Sequence, residues 1–152
     1  MSELNKLIVG GSAKTPNIEF NALTGDLTLQ GRSLPENAAK VYEPLVEWVS
    51  EYVKIPRTTT NFYLKLDYFN SSSLLWIIRI IKALSKIETE KSTLYFHLYF
   101  DEEDFDVKDA DELKDLIRSI IDNISDLKVR IGIKIHGTDD NGKVIEESTF
   151  LN

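Results

Sequence analysis

Thr60-Asn61-Phe62-Tyr63-Leu64-Lys65-Leu66-Asp67-Tyr68-Phe69-Asn70-Ser71-Ser72-Ser73-Leu74-Leu75-Trp76-Ile77-Ile78-Arg79-Ile80-Ile81-Lys82-Ala83-Leu84 decides how this chain folds. Its first nine residues alternate: Phe62, Leu64, Leu66 and Tyr68 fall on one side, Asn61, Tyr63, Lys65 and Asp67 on the other. Period-two alternation is the mark of a strand with one dry face. The run from Leu74 to Leu84 is long and apolar enough to predict a buried helix. An amide and three hydroxyls therefore sit at a strand-to-helix junction. The first N–H groups of a helix have no partner within it, and Asn or Ser oxygens commonly accept their hydrogen bonds. The same donors and the positive end of the helix dipole favour an anion. A hydroxyl there can be a cap, or a place where a phosphate is attached.

Downstream, Leu94, Phe96, Leu98 and Phe100 oppose Tyr95, His97 and Tyr99. Val129, Ile131, Ile133 and Ile135 oppose Arg130, Gly132, Lys134 and His136. Helices are predicted from about Ser72 to Ile87 and from about Ala110 to Ile124. Strand–helix–strand order implies parallel pairing through right-handed crossovers. Parallel strands covered on both faces would read as continuous apolar runs. The helices should therefore cover one face, leaving the tyrosine-bearing face exposed or against a partner. Upstream, Ile18 and Phe20, then Leu27 and Leu29, alternate around Thr24-Gly25-Asp26 and predict a hairpin. Lys6 to Val9 reads as a short opening strand. Gly31 to Asn37 reads as a loop. A helix should run from Ala38 to Tyr52 with Val41, Leu45, Trp48, Val49 and Tyr52 on one face, kinked or started late by Pro44. Asp140-Asn141-Gly142-Lys143 signals a last hairpin with Val144-Ile145 as an edge strand, so that 137–152 is an edge hairpin or a tail.

The 152 residues form one domain on this reading, 1–152, with 42% hydrophobic and 28% charged residues and no cysteine. Disulfide and thiolate chemistry are excluded, and a reducing, cytoplasmic setting fits. No signal-peptide core is visible at the N-terminus, and Leu74 to Ile81 is too short to span a bilayer, so no membrane is expected. A net charge of −7 argues against nucleic acid. Gly-rich phosphate loops are absent from the sequence, and no cofactor is expected.

For Ser71, Ser72 and Ser73 the plain reading is helix capping; the functional one is phosphorylation, because loops at the carboxyl ends of parallel strands gather sites. A serine nucleophile would need a held base. His97 and His136 are the only histidines, both on predicted wet faces, and the Gly-x-Ser-x-Gly elbow is missing. The acidic run Asp101-Glu102-Glu103-Asp104-Phe105-Asp106 lacks the calcium-loop glycine and terminal glutamate, so no metal site is expected. Tyr63, Tyr95 and Tyr99 form an aromatic patch if their strands are neighbours, either an interface or an ordinary half-exposed sheet. Arg32, Arg57 and Lys65 could face a phosphate or be plain surface charges.

Thr15-Pro16-Asn17-Ile18-Glu19-Phe20, Thr24-Gly25-Asp26-Leu27 and Gly31-Arg32-Ser33-Leu34-Pro35-Glu36-Asn37 resemble the opening of the SiaC family of bacterial regulatory phosphoproteins. Tyr42-Glu43-Pro44-Leu45-Val46-Glu47-Trp48 is similar to that family's first helix, proline included. Leu66-Asp67-Tyr68-Phe69-Asn70-Ser71-Ser72-Ser73 resembles its central motif, Leu-Glu-Tyr-Phe-Asn-Thr-Ser-Ser. The resemblance implies a STAS-like α/β fold, with a mixed, mainly parallel sheet and helices packed mostly on one face. It also implies a partner-switching protein that is not an enzyme. A dedicated Ser/Thr kinase and a PP2C-type phosphatase would act on it, and the unphosphorylated form would bind and activate a GGDEF diguanylate cyclase, raising cyclic di-GMP. By motif position the acceptor is Ser71, where the family has Thr, with Ser72 next. Tyr68, Phe69, Asn70, Ser71, Ser72, Ser73 and Arg32 would meet the partner. Two rival readings remain: an adaptor that homodimerises through the tyrosine face without phosphorylation, and a serine-based enzyme.

Overall fold

Each strand of this protein pairs with the strand next to it in sequence. The computed structural model describes residues 6–99, 107–124, 126–138 and 144–151. The strands are β1 (Leu7–Val9), β2 (Asn17–Asn21), β3 (Asp26–Ser33), β4 (Thr59–Phe69), β5 (Thr93–Tyr99), β6 (Arg130–Thr138) and β7 (Val144–Phe150), and they form one sheet in the order β1-β2-β3-β4-β5-β6-β7. β3 through β6 are parallel, with antiparallel pairs β1–β2, β2–β3 and β6–β7 at the edges. The crossovers are α1 (Ala38–Tyr52), α2 (Ser71–Leu84) and α3 (Val107–Asp122). All three step the same way across the sheet. Right-handed crossovers stepping in one direction put every helix on one face.

That face holds the core. Leu27, Leu29, Phe62, Leu64, Leu94, Phe96, Leu98, Ile131, Ile133 and Ile135 are buried against Tyr42, Leu45, Val49, Ile77, Ile80, Ile81, Leu84, Ile117 and Ile121. Phe20, Phe62 and Phe96 make edge-to-face contacts at 6.3 and 6.2 Å, and Trp48 caps Phe20 at 5.4 Å. Gly25 closes the β2–β3 hairpin at φ +80, with its N–H donating to Asn21 O. A Cβ there would stand 2.5 Å from the Thr59 carbonyl oxygen, so no other residue fits.

Several sequence expectations need correction. The stretch from Gly31 is not all loop: β3 continues through Ser33, with Gly31 at φ +103 and a bulge opposite it. The pairing passes from Gly31↔Leu66 to Arg32↔Tyr68, leaving Asp67 as an extra residue in β4. That residue breaks the alternation, so Tyr68 is 53% exposed rather than on the dry face. In α1 it is Tyr42 that is fully buried, with Val41 only half-buried. Pro44 lies inside a helix that starts at Ala38, on its exposed side, where the carbonyl deprived of an N–H partner can turn to solvent. The end of the chain is no tail up to Phe150, because β7 pairs with β6 from Thr138↔Val144 to Gly132↔Phe150. The expected Asn-Gly turn at 140–143, the acidic run 101–106 and Phe100 lie outside the described residues.

Candidate functional site at the start of helix α2

The site is built from the ends of β3 and β4 and the first turn of α2. Asn70 is the N-cap, extended at φ −91, and its Oδ1 accepts from the Ser73 N–H at 2.9 Å. Its carbonyl accepts from the Leu74 N–H at 3.0 Å, and its own N–H donates to Ser33 O at 3.1 Å. Ser71 and Ser72, the first two helical residues, are exposed. Among the described residues, neither hydroxyl nor either N–H of these two residues makes a hydrogen bond within the protein. Two free hydroxyls therefore stand beside two free donors at the positive end of a helix.

Ser73 behaves differently, and the expectation that it meets a partner is corrected. It is fully buried; its Oγ donates to Ser33 O at 2.9 Å and lies 2.8 Å from Ser33 Oγ. Ser33 Oγ in turn bonds the Tyr42 hydroxyl. With Ser73 donating to the carbonyl, one chain of donors satisfies every oxygen: Tyr42 to Ser33, Ser33 to Ser73, Ser73 to Ser33 O. Burial raises the Tyr42 phenol above its ordinary value, against the hydrogen bonds to Ser33 and Ser73, so it remains protonated. α1, β3 and α2 are thus tied together under the exposed serines. Nothing in the sequence marked Ser33 or Tyr42 for this role; they read as a loop residue and a helix residue off the expected apolar face.

Around the hydroxyls lie exposed apolar side chains: Tyr68 at 53%, Phe69 at 42% and Leu75 at 62%. The Arg32 guanidinium sits over the Tyr68 ring, 5.0 Å from its centroid, which holds a cation at the same end of the sheet. Arg57 is elsewhere: its Nε donates to Ala22 O at 3.2 Å.

The tyrosine face is a different place. Tyr63, Tyr95 and Tyr99 are half-buried and do come together. Tyr63 stacks on His97 at 4.3 Å and Tyr99 on His136 at 4.5 Å, while Tyr95 lies 6.1 Å from His97. Lys65 lies over Tyr63 and Tyr99, and Lys134 over Tyr95. His97 is not on a wet face as expected: it is 6% exposed, roofed by these rings. Its Nε2 meets Asn61 Oδ1 at 2.8 Å, and Asn61 Nδ2 donates to Asp26 Oδ1 at 3.1 Å. Asn61 therefore offers an acceptor, so His97 carries its proton on Nε2 and accepts at Nδ1 from His136 Nε2, 3.0 Å away. Both nitrogens of His97 are committed. No hydrogen bond joins the Ser71 or Ser72 hydroxyl to a histidine among the described residues. Among the described residues no group of three or more His, Asp or Glu is placed to hold a metal ion, and no helix is long and apolar enough to cross a membrane.

The model of the SiaC family regulatory phosphoproteins matches residues 9–126, which include all of this site. The chain belongs to the SiaC family of regulatory phosphoproteins. It is also similar to an uncharacterized protein of Pseudomonas aeruginosa strain UCBPP-PA14, 28% identical over 83 residues. That match spans 55% of this chain and 66% of the relative, just under two thirds of its length. Among solved structures, apo-SiaC from Pseudomonas aeruginosa superposes with a TM-score of 0.65 at 22% identity, covering 85% of this chain and 98% of that one. The structure of the diguanylate cyclase SiaD in complex with its activator SiaC, from the same organism, contains a chain that matches with a TM-score of 0.67 at 23% identity, covering 86% and 99%. The SiaC-family chain described here thus shares the fold of those proteins, with helices packed on a mixed sheet.

Proposed function

We propose that this chain is a non-enzymatic, cytoplasmic partner-switching protein whose unphosphorylated form binds and activates a GGDEF diguanylate cyclase. Phosphorylation of Ser71, with Ser72 as the second acceptor, releases the cyclase; a Ser/Thr kinase adds the phosphate and a PP2C-type phosphatase removes it. The supporting observation is the contrast within one serine run: Ser71 and Ser72 are exposed with free hydroxyls, whereas Ser73 is sealed and fully bonded. A phosphate on Ser71 carries a charge of about −1.5 to −2. The helix end accommodates it through the free N–H groups and the dipole. A partner shaped for a hydroxyl between Tyr68, Phe69 and Leu75 must instead desolvate a dianion. A loss of only about 3 kcal/mol weakens a complex more than a hundredfold.

The experiment is calorimetry of Ser71→Asp and Ser71→Ala against a purified cyclase, with intact mass after kinase treatment. The aspartate variant should bind far more weakly than wild type. The alanine variant should bind normally and gain no phosphate at that position. Wild-type affinity in Ser71→Asp and also in Ser72→Asp, measured alongside, overturns the reading.

A further inference from the structure

Helix α2 carries an ordered outer face as well as its buried one. Ser72, Leu75, Arg79 and Lys82 are exposed and follow at steps of three and four, so they form one stripe; Lys86 continues it just past the helix end. α2 contains no acidic residue, in a chain whose net charge is −7. The neighbouring helix α1 shows the opposite character, exposing Glu43, Glu47 and Glu51.

Among the described residues, no ion pair holds the cations of the stripe. Ion pairs join Lys6 to Glu19, Lys14 to Glu36 and Lys54 to Glu51, and none involves Arg79, Lys82 or Lys86 among the described residues. A lysine in the last turn offsets the helix dipole, which accounts for Lys82 alone. Arg79 stands mid-helix, its guanidinium stacked 4.3 Å from the centroid of the half-buried Trp76 ring. A guanidinium over an aromatic face keeps donors at its edge for carboxylates, the pairing to which arginine's planar fork is suited.

Resting on the partner-switching reading above, we infer that the partner lays an acidic protein surface along α2, with carboxylates against Arg79 and Lys82 and an apolar contact at Leu75. Charge complementarity is the reason to assign this occupant. It also explains how one modification acts. Ser72 and Arg79 are seven residues apart, about 10 Å along a helix, which is about one Debye length at 0.1 M salt. A phosphate at Ser71 or Ser72 adds up to about −2 at the head of a stripe carrying two cations within α2, and so cancels its attraction. Release is then electrostatic along the helix as well as steric at the hydroxyl.

The test measures binding of the full chain to each purified GGDEF cyclase of its source organism at 50 and 300 mM NaCl, where the Debye length is roughly 14 and roughly 6 Å. Wild type should weaken at least tenfold between the two salts. The double variant Arg79→Glu/Lys82→Glu should bind at least tenfold more weakly at low salt with a flattened salt response. Arg79→Gln/Lys82→Gln should fall between, and Lys14→Glu should match wild type. Circular dichroism confirms that each variant is folded. Wild-type affinity in the double reversal, with binding still lost in Ser71→Asp, overturns the acidic surface and leaves the partner switch standing. Absence of binding by wild type to every cyclase overturns both. Two further results assign the stripe elsewhere and so overturn the inference. One is retention on phosphatidylglycerol vesicles that the double reversal abolishes. The other is a dimer in light scattering that the double reversal dissociates.

Discussion

Ser33 and Ser73, 40 residues apart, share a buried hydrogen bond of 2.8 Å at the point where β3 passes beneath α2. The Ser73 hydroxyl also reaches the Ser33 carbonyl at 2.9 Å, and Tyr42 closes the group from α1. The position of the exposed serines is thereby set by side chains sealed from solvent. Rigid support of this kind lowers the ordering cost of a contact made just above it.

Removal of the Tyr42 hydroxyl should cost stability without changing which serine is modified. Tyr42→Phe leaves Ser33 Oγ one donor short in a dry site, a loss of about 1 kcal/mol. In a chain of this size that lowers the melting temperature by roughly 2–4 °C. Ser73→Ala should destabilise similarly. Phosphopeptide mapping of both variants should still find the phosphate on Ser71 or Ser72; its disappearance in Ser73→Ala would contradict the assignment.

Asn70→Ala removes the cap that accepts from the Ser73 N–H. Such caps contribute about 1 kcal/mol. Urea denaturation should show that loss, and Asn70→Asp should recover most of it, since its oxygen occupies the same position.

Acid should weaken the fold through His97. Burial above all, then repulsion from His136, Lys134 and Lys65, lowers its imidazole from 6.5 to about 4. In the unfolded chain the ring takes up a proton near pH 6.5, so between those values the unfolded state binds more protons. The contribution to stability is complete above about pH 6.5 and is lost progressively as the pH falls toward about 4, by about 3 kcal/mol at most. Across that window, denaturation midpoints of His97→Gln should decline less than those of wild type. Parallel declines would show that the ring is not the sensor.

Gly25→Ala should be among the most damaging single-methyl changes in the chain. The φ of +80 disfavours any side chain, and the new Cβ would meet the Thr59 carbonyl oxygen at 2.5 Å. A loss of about 1–3 kcal/mol is expected from the backbone strain alone. Thermal melts should separate this variant clearly from Gly10→Ala, where a Cβ meets nothing within 4 Å.

Much of the architecture was legible because burial enforces period. Phe62 and Leu64, Leu94 to Leu98, and Ile131 to Ile135 could face only a dry side, and the polar residues between them implied helices on one face. The Asn70 cap and the helix start at Ser71 and Ser72 were legible from capping chemistry and from their place after a strand. What escaped were features set by tertiary contact. The bulge at Asp67 shifts Tyr68 to the surface through a register that β3 imposes, and no local pattern records it. Tyr42 goes inside because Ser33 and Ser73 await its hydroxyl. His97 is buried on the helix-free face because neighbouring tyrosines and lysines close over it, which alternation within one strand cannot reveal.

The monotonic strand order has a consequence for biosynthesis. Every new strand finds its sheet neighbour already made, so the domain can assemble progressively as it emerges from the ribosome, N-terminal hairpin first. Each parallel pairing, such as Asp26↔Asn61 or Thr93↔Arg130, nonetheless closes a crossover containing a whole helix, the kind of non-local contact that slows folding. The serine turn acquires its supports from β3 and α1, both synthesised before it. Ser33 and Tyr42 are thus in place before Ser73 emerges to join them.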